Sequence, residues 1–361
     1  MPPRMEDRWQ EWKYLEALKK QEAVRPETVA ERKRPGASSR HFESHAGTSE
    51  FRREILDDGR WMLFSKEGEK FYLDTIKDPE DQRIEQVQGL LLKTFNPEEV
   101  CPIEEQRDAV AENQDPARTG EHLLQVISDE HGKVTGFIEA RYQPATGIEG
   151  TTLKDGVVMV GYVITDPAMR GKGIGKELYA KLFEDADRVA KARGEKVRFV
   201  AGEAVQSVEP VLNKFGRGRM YTEQPNGTLR EFKYFQPPLS WDLRTGEKAA
   251  DADTAPEHFM IGETTGERNL RPDEALACVR SFYDYLFFEV YKESDFETPG
   301  AYAKARATVE HQLKEFEHQL AGAASVTLIP GNERRMLKKT GKKFDEHVDA
   351  DKVKWDEMAE G

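Results

Sequence analysis

Residues 170–175 (RGKGIG) combine three glycines with two basic side chains. They follow an apolar run at 157–164 and precede a helical pattern that continues to about residue 193. A strand, a glycine-rich turn and a helix together present main-chain N–H groups that have no partner inside the helix, and the helix dipole adds positive charge there. Glycine lets an anion approach the backbone closely because it has no Cβ atom. The stretch therefore predicts a phosphate-binding loop.

The spacing of the glycines excludes two common phosphate loops. A Walker A loop needs Ser or Thr after its lysine, whereas Glu177 follows Lys176 here. The dinucleotide-binding fingerprint needs G-x-G-x-x-G, whereas Gly171, Gly173 and Gly175 are spaced G-x-G-x-G. The remaining pattern, R-x-x-G-x-G ahead of a helix, resembles the acyl-CoA pyrophosphate loop of the GNAT N-acyltransferase superfamily. Residues 165–178 match the junction of strand four and helix three in that family, including the proline three residues before the arginine.

The resemblance implies a site for acetyl-CoA, or another acyl-CoA, as co-substrate. In this family strand four splays from strand five, the pantetheine arm lies in the gap, and the N–H groups of the loop hold the diphosphate. Ile174 would be an apolar anchor under the turn, and the basic side chains would add positive charge. The cofactor-binding residues implied in this way are Val163, Ile164, Thr165, Arg170, Gly171, Lys172, Gly173, Ile174, Gly175 and Lys176.

The implied reaction is direct transfer of an acetyl group from the thioester to an amine. It needs positioning, an oxyanion donor such as the N–H near Val163, and a base. Many members carry a tyrosine, as acid for the thiolate, in a helix-four motif F-Y-x-K-x-G-F. Residues 211–217 (VLNKFGR) keep the lysine and the glycine, but Leu212 stands at the tyrosine position. Val157 stands near the strand-four position where other members carry a carboxylate.

Other side chains must then be considered for acid–base chemistry. Glu203, at the predicted end of strand five beside the splay, is the candidate base, although a solvated glutamate at a strand end is an equal alternative. Tyr221 is the candidate acid, and Glu139 is interpreted as a charge on the face of the sheet. Because Leu212 and Val157 cannot transfer protons, a non-catalytic CoA-binding or scaffold protein on the same fold stays open. So does transfer of a larger acyl group.

The composition limits the possible partners. A net charge of −13 over 361 residues argues against a general nucleic-acid binder and mildly favours a cationic amine acceptor, either a small molecule or a protein. Cys101 and Cys278 lie outside any CxxC pattern, and His311 and His318 lack a cysteine or carboxylate partner, so no metal is expected. Without an apolar leader or a membrane-length apolar run, the expected location is the cytoplasm and no membrane partner is predicted.

The elements that must position these residues follow the order β-α-α-β-β-β-α-β-α-β-β over about 60–236. Helices are predicted at 79–95, 103–113, 175–193 and 206–215. Strands are predicted at 71–76, 122–128, 134–142, 157–164 and 197–201, followed by a closing hairpin of the runs around 220–222 and 228–235. This is the GNAT order. The predicted fold class is therefore α/β (α+β): a mixed, mostly antiparallel twisted sheet flanked by helices, with a C-terminal helical extension.

The chain is predicted to divide into five parts. Residues 1–50 hold an amphipathic helix (5–24) and a linker, 51–238 the GNAT acyltransferase-like domain, 239–270 a linker, 271–330 the helical extension and 331–361 a charged tail. Apolar stripes at 276–290 and 309–320 predict packing on the main domain or on a second copy of the chain. The second case would be a homodimer through the terminal helices.

Overall fold

A computed structural model describes most of the chain from residue 51 onward. The described residues are 51–95, 100–115, 120–145, 153–205, 217–224, 226–238, 241–249, 257–264, 266–288 and 291–330, with parts of 333–345. The helices predicted at 5–24 and 206–215, the first linker and most of the charged tail lie outside these residues.

Thirteen strands are found in the described residues, and they form one sheet. They are β1 (Arg52–Ile55), β2 (Trp61–Phe64), β3 (Lys70–Thr75), β4 (Glu121–Asp129), β5 (Val134–Gln143), β6 (Gly156–Thr165), β7 (Val197–Val205), β8 (Gly218–Glu223), β9 (Leu229–Glu231), β10 (Glu257–Glu263), β11 (Asn269–Leu270), β12 (Val326–Ile329) and β13 (Phe344–Asp345). The order across the sheet is β1-β2-β3-β4-β5-β6-β7-β10-β8-β12-β11, and β9 joins β8 to β13. The pairs β6–β7 and β9–β13 are parallel and the others are antiparallel.

Five α-helices flank the sheet in the described part of the chain. They are α1 (Arg83–Thr94), α2 (Ile103–Glu112), α3 (Ile174–Ala192), α4 (Pro272–Tyr283) and α5 (Pro299–Leu320). The helix α5 begins where the Thr298 side chain accepts a hydrogen bond from the N–H of Ala301, with proline at the first helical position. None of the described helices combines the length and the apolar character that a membrane span requires.

The helix α3 covers one face of the sheet, which we call the α3 face. Leu178, Leu182 and Ala186 are fully buried on one side of this helix and pack against Val158 and Val200 of the central strands. Apolar side chains at helical spacing oppose apolar side chains at alternate strand positions, so both elements lose their exposed apolar surface together. This packing fixes the start of α3 at the end of β6.

The opposite face carries two groups of helices. The helices α1 and α2 pack over β4 to β6 through Ile84, Val87, Leu91 and Val110. The helices α4 and α5 pack over β6 to β12, where Phe316 of α5 is fully buried. The apolar stripes of the extension therefore lie against the main sheet, as one of the two alternatives predicted.

The predicted linker at 239–270 is wrong where the strand β10 forms. Residues 257–263 pair with β7 along their whole length and separate it from β8. Phe259 and Ile261 alternate with neighbouring residues and are buried in the same core as α4 and α5. These seven residues are a short run after an acidic stretch, and their own sequence does not predict a strand. They form one because they pair with β7. The predicted hairpin of β8 and β9 is confirmed, but β10 is the neighbour of β7.

Candidate active site

The parallel strands β6 and β7 separate at their carboxyl ends. Their register runs from Gly156 opposite Val197 to Val160 opposite Gly202, and no further pair follows among the described residues. Both strands continue, β6 to Thr165 and β7 beyond Gly202. A gap therefore opens between them, closed at the Val160–Gly202 pair and open towards the carboxyl ends of both strands. We call it the splay.

A β-bulge in β6 lies beside the closed end of the splay. In the register with β5, Tyr162 lies opposite Glu139 and Val160 opposite Ala140, so Gly161 is an extra residue. A bulge reverses which side chains face each side of a sheet. As a result Tyr162 follows Gly161 onto the face that carries α1 and α2, where its ring contacts that of Phe95 with centroids 5.4 Å apart.

Two residues of β6 turn their main-chain polar groups into the splay. The N–H of Asp166 donates to the carbonyl of Thr135 in β5 at 2.9 Å. Hydrogen-bonded and non-hydrogen-bonded pairs alternate in an antiparallel ladder. The main-chain N–H and C=O groups of Ile164 therefore bond to β5, whereas those of Val163 and Thr165 point away from β5. Ile164 is instead buried against the α1 cluster. Of the three predicted strand residues, Val163 and Thr165 thus offer hydrogen bonds to a ligand.

The loop after β6 ends in a row of main-chain donors. Gly171 and Gly173 have φ angles of +84° and +87°, a region that glycine adopts without strain. Within the described residues, nothing accepts a hydrogen bond from the N–H groups of residues 171 and 173–175. A Cβ atom at Gly175 would meet nothing within 4 Å, so the space in front of the helix start is open.

The side chains of the loop are arranged around these donors. Ile174 is 1% exposed and packs in the α3 core, as the anchor role predicted. Arg170 is exposed and its Nε donates to the carbonyl of Thr165 at 3.4 Å. The Nζ of Lys172 lies 3.1 Å from a carboxylate oxygen of Glu69, and Lys176 is exposed. The helix start, with its dipole and nearby cations, can hold a diphosphate.

Glu203 is the first residue of β7 beyond the last pair with β6. On its other side β7 stays paired with β10, where Phe259 lies opposite Glu203. Both carboxylate oxygens accept hydrogen bonds, one from the hydroxyl of Tyr234 and one from Gln236 Nε2 at 2.7 Å. The ring of Tyr234 stacks on Phe259 with centroids 4.8 Å apart. The carboxylate is therefore held in a fixed orientation at the closed end of the splay.

The structure does not bring Tyr221 to Glu203. Tyr221 lies on β8, which β7 and β10 separate from β6. Its buried ring meets Phe344 edge-on at 5.7 Å, and the guanidinium of Arg334 lies 5.7 Å from its centroid. The tyrosine that contacts the candidate base is Tyr234, which the sequence offered only as part of a hairpin strand.

A second carboxylate, that of Glu139, is buried on the face that carries α1 and α2. Gln106 Nε2 donates to it at 3.4 Å, and His122 Nε2 lies 3.8 Å from its other oxygen. Burial raises the pKa of Glu139 to about 7. Burial and, secondarily, the charge of Arg141 lower the pKa of His122 to about 3, so this imidazole is neutral. Glu139 thus lies on a face of the sheet, as interpreted, but α2 covers that face and buries the side chain.

The titration of Glu139 predicts a pH-dependent stability. Its pKa is higher in the folded protein than the ordinary value of 4.5, so the folded state holds the proton between about pH 4.5 and pH 7. The free energy of unfolding should fall as the pH rises through this window, by up to about 3 kcal/mol. Glu139→Gln removes the titration. Thermal unfolding should therefore show that the Tm of the variant, relative to that of the wild type, is higher at pH 8 than at pH 4.5. The same Tm difference between the two proteins at both pH values would contradict the assignment.

Comparison with known proteins agrees with this geometry. Residues 85–204 match the model of the Acetyltransferase (GNAT) family. No curated protein matches the chain in sequence.

Solved structures that resemble the chain include several acetyltransferases. The ribosomal-protein-S18-alanine N-acetyltransferase from Escherichia coli is 10% identical, with 54% of this chain and 94% of that chain covered and a TM-score of 0.31. An acetyltransferase of the GNAT family from Staphylococcus aureus is 10% identical, covering 53% and 99%, with a TM-score of 0.32. An aminoglycoside 6'-N-acetyltransferase complexed with coenzyme A is 16% identical, covering 53% and 96%, with a TM-score of 0.32.

The matched segment contains the bulged strand β6, the loop, the whole of α3 and Glu203. The resemblance first indicated by the glycine spacing is therefore confirmed over this segment: residues 85–204 match the model of the GNAT acetyltransferase family.

Proposed function

We propose that this protein is an N-acetyltransferase that moves an acetyl group from acetyl-CoA, or another acyl group from its CoA thioester, to an amine. The family uses acyl-CoA as donor. One observation carries the proposal. The splay opens directly before the loop whose N–H groups are unpaired in the described residues, and Glu203 is the first residue of β7 after the pair that closes the splay. A ligand held at the loop and along Val163 would thus present its reactive end to a fixed carboxylate.

The cofactor would be bound mainly by the backbone. The N–H groups of residues 171 and 173–175 would hold the diphosphate, and Arg170, Lys172 and Lys176 would neutralise its charge. The polar groups of Val163 and Thr165 would pair with the amides of the pantetheine arm. The N–H of Val163 is the donor that would stabilise the oxyanion formed when the amine attacks the thioester carbonyl.

Glu203 would act as the base. An ammonium group has no lone pair and attacks only after it loses a proton, and a carboxylate at the reacting centre can accept that proton. Each carboxylate oxygen has two lone pairs, and the hydrogen bonds from Tyr234 and Gln236 use one on each oxygen. Tyr234 and Gln236 are positioning residues in this scheme. Tyr221, which lies beyond β10, has no part in it.

A non-catalytic CoA-binding protein is the second candidate function. Two features favour it: Leu212 stands where many members have the acid tyrosine, and Val157 is fully buried in the apolar core. A thiolate is a weak base, because a thiol is a much stronger acid than an alcohol, and it can therefore leave without an enzymic acid. Leu212 thus does not exclude turnover.

Thermal unfolding with and without acetyl-CoA tests the cofactor assignment. At about a hundredfold excess over Kd, ligand binding adds about 2.7 kcal/mol to the free energy of unfolding. For a domain of this size we expect Tm to rise by about 5–10 °C. Release of free thiol with a panel of primary amines then measures transfer. The absence of a Tm shift at millimolar acetyl-CoA would contradict the proposal, and a shift without thiol release for any amine would favour the binding protein.

A further inference from the structure

Arg217 places a buried positive charge next to the splay. The residue is 1% exposed, and its Nε and Nη2 atoms have no hydrogen-bond partner in the part of the chain that the structure describes. The guanidinium carbon lies 5.3 Å from the ring centroid of Tyr179 in α3. Burial lowers the pKa of Arg217, although an arginine stays protonated in such surroundings. The side chain is thus a cation without a described counter-ion.

The guanidinium lies beneath the closed end of the splay, on the α3 face. Its Nη1 atom is 2.9 Å from the point that a Cβ atom would occupy at Gly202, and the carbonyl oxygen of Val160 is 3.1 Å from the same point. Val160 and Gly202 form the last pair before β6 and β7 separate. The absence of a side chain at position 202 therefore makes the room that the guanidinium occupies.

An unpaired buried charge is costly to the fold. A cation removed from water needs a paired anion to recover its solvation energy, and the contact with an aromatic ring recovers only part of it. An apolar side chain would avoid this cost, and the helix-four motif that residues 211–217 resemble ends in phenylalanine at this position. The two atoms without partners, Nε and Nη2, form one edge of the guanidinium fork. That edge matches the two oxygens of a carboxylate.

We propose that Arg217 binds a carboxylate at the far end of the acyl group, so that the donor is the CoA thioester of a dicarboxylic acid such as succinyl-CoA. This inference rests on the proposed function. With the diphosphate at the open end of the splay, the pantetheine arm would run along Val163 towards Glu203, and the acyl chain would end at the Val160–Gly202 pair, next to the guanidinium. An acetyl group has no charged atom to place there. A four-carbon acyl group with a terminal carboxylate supplies the missing anion.

The comparison of succinyl-CoA with butyryl-CoA tests the proposal on the wild-type chain. Both acyl groups have four carbons, and only the first ends in a charge. We expect isothermal titration to show succinyl-CoA binding about 10–100-fold more tightly than butyryl-CoA, because the carboxylate gains charge-assisted hydrogen bonds. Equal affinities would overturn the proposal while leaving the proposed function intact. Failure of both thioesters and of free CoA to bind would overturn the proposed function as well.

The variant Arg217→Met tests whether Arg217 causes the tighter binding of succinyl-CoA. Methionine fills similar space without charge, so the variant should fold with a Tm equal to or above that of the wild type. We expect it to bind free CoA and butyryl-CoA as the wild type does and to lose the preference for succinyl-CoA. A preference that survives in the variant would overturn the assignment. So would equal loss of turnover with both thioesters, since that result would place the leaving thiolate, not an acyl carboxylate, at the guanidinium.

Discussion

Replacement of Glu203 by glutamine should lower the rate of acyl transfer about 100- to 10,000-fold, the range that general acid–base groups contribute. Glutamine keeps the shape of the side chain, and its single oxygen can still accept a hydrogen bond from either Tyr234 or Gln236, while its NH2 group faces the other partner. It cannot accept the proton that the ammonium group must lose before the amine attacks. The affinity for CoA should not change, because in our scheme the cofactor is held by the loop and by β6.

The measurement is thiol release at saturating thioester and amine, with CoA affinity determined in parallel. Glu121→Gln is a matched control, since Glu121 begins β4 and forms only a half-exposed ion pair with Arg188 at 3.6 Å. Tyr234→Phe keeps the ring stacked on Phe259 but removes the donor to Glu203, and should cause a smaller loss with an altered pH profile. Full activity in Glu203→Gln would contradict the assignment of Glu203 as the base, and Glu139 would be the next carboxylate to test.

The parts of the site that depend on neighbouring residues could be predicted from the sequence. The glycine spacing at 171–175 indicates a backbone with positive φ angles and open space around it. The structure shows positive φ at Gly171 and Gly173 and open space at Gly175. Apolar runs at 157–164 and 197–201 indicated the two central strands, which form and separate as the resemblance implied. Glu203 lies beside the splay as the resemblance implied, although β7 does not end there but continues to Val205.

The parts that depend on distant pairing could not be predicted in this way. Residues 257–263 become a strand because β7 offers an open edge, and nothing within the run itself indicates that partner. Tyr234 reaches Glu203 only because the chain folds back after β9. Glu139 occupies an alternating position typical of an exposed face, and its burial requires α2 with Gln106 above it.

The distant contacts also change the interpretation of the C-terminal part. Strand β12 pairs with β8, and Phe316 of α5 lies against Phe232, Tyr234 and Phe235 within the main core. Tyr234 is therefore packed between the extension and the candidate base. We infer that residues 271–330 are structurally required for the site and are not an appendage to it.

Substitution of Gly175 by glutamate should abolish most of the affinity for coenzyme A. The position has helical backbone angles and open space, so the new side chain fits the fold but points its charge to where the diphosphate would lie. Two like charges about 4–5 Å apart repel by about 3–4 kcal/mol at an effective dielectric constant of about 20. This corresponds to a loss of more than about 100-fold in affinity. Gly173 is less suitable, because at φ +87° any side chain strains the loop.

Gly89→Glu is the matched control for this variant. Gly89 lies inside α1, and a Cβ atom there also meets nothing within 4 Å. Both variants should fold, each with a small cost or gain in helix propensity. Isothermal titration of coenzyme A into the wild type and both variants is the most direct test of the claim that main-chain amides at the start of α3 hold a diphosphate. We predict wild-type affinity in Gly89→Glu and a loss of more than about 100-fold in Gly175→Glu; unchanged affinity in a folded Gly175→Glu protein would contradict the account.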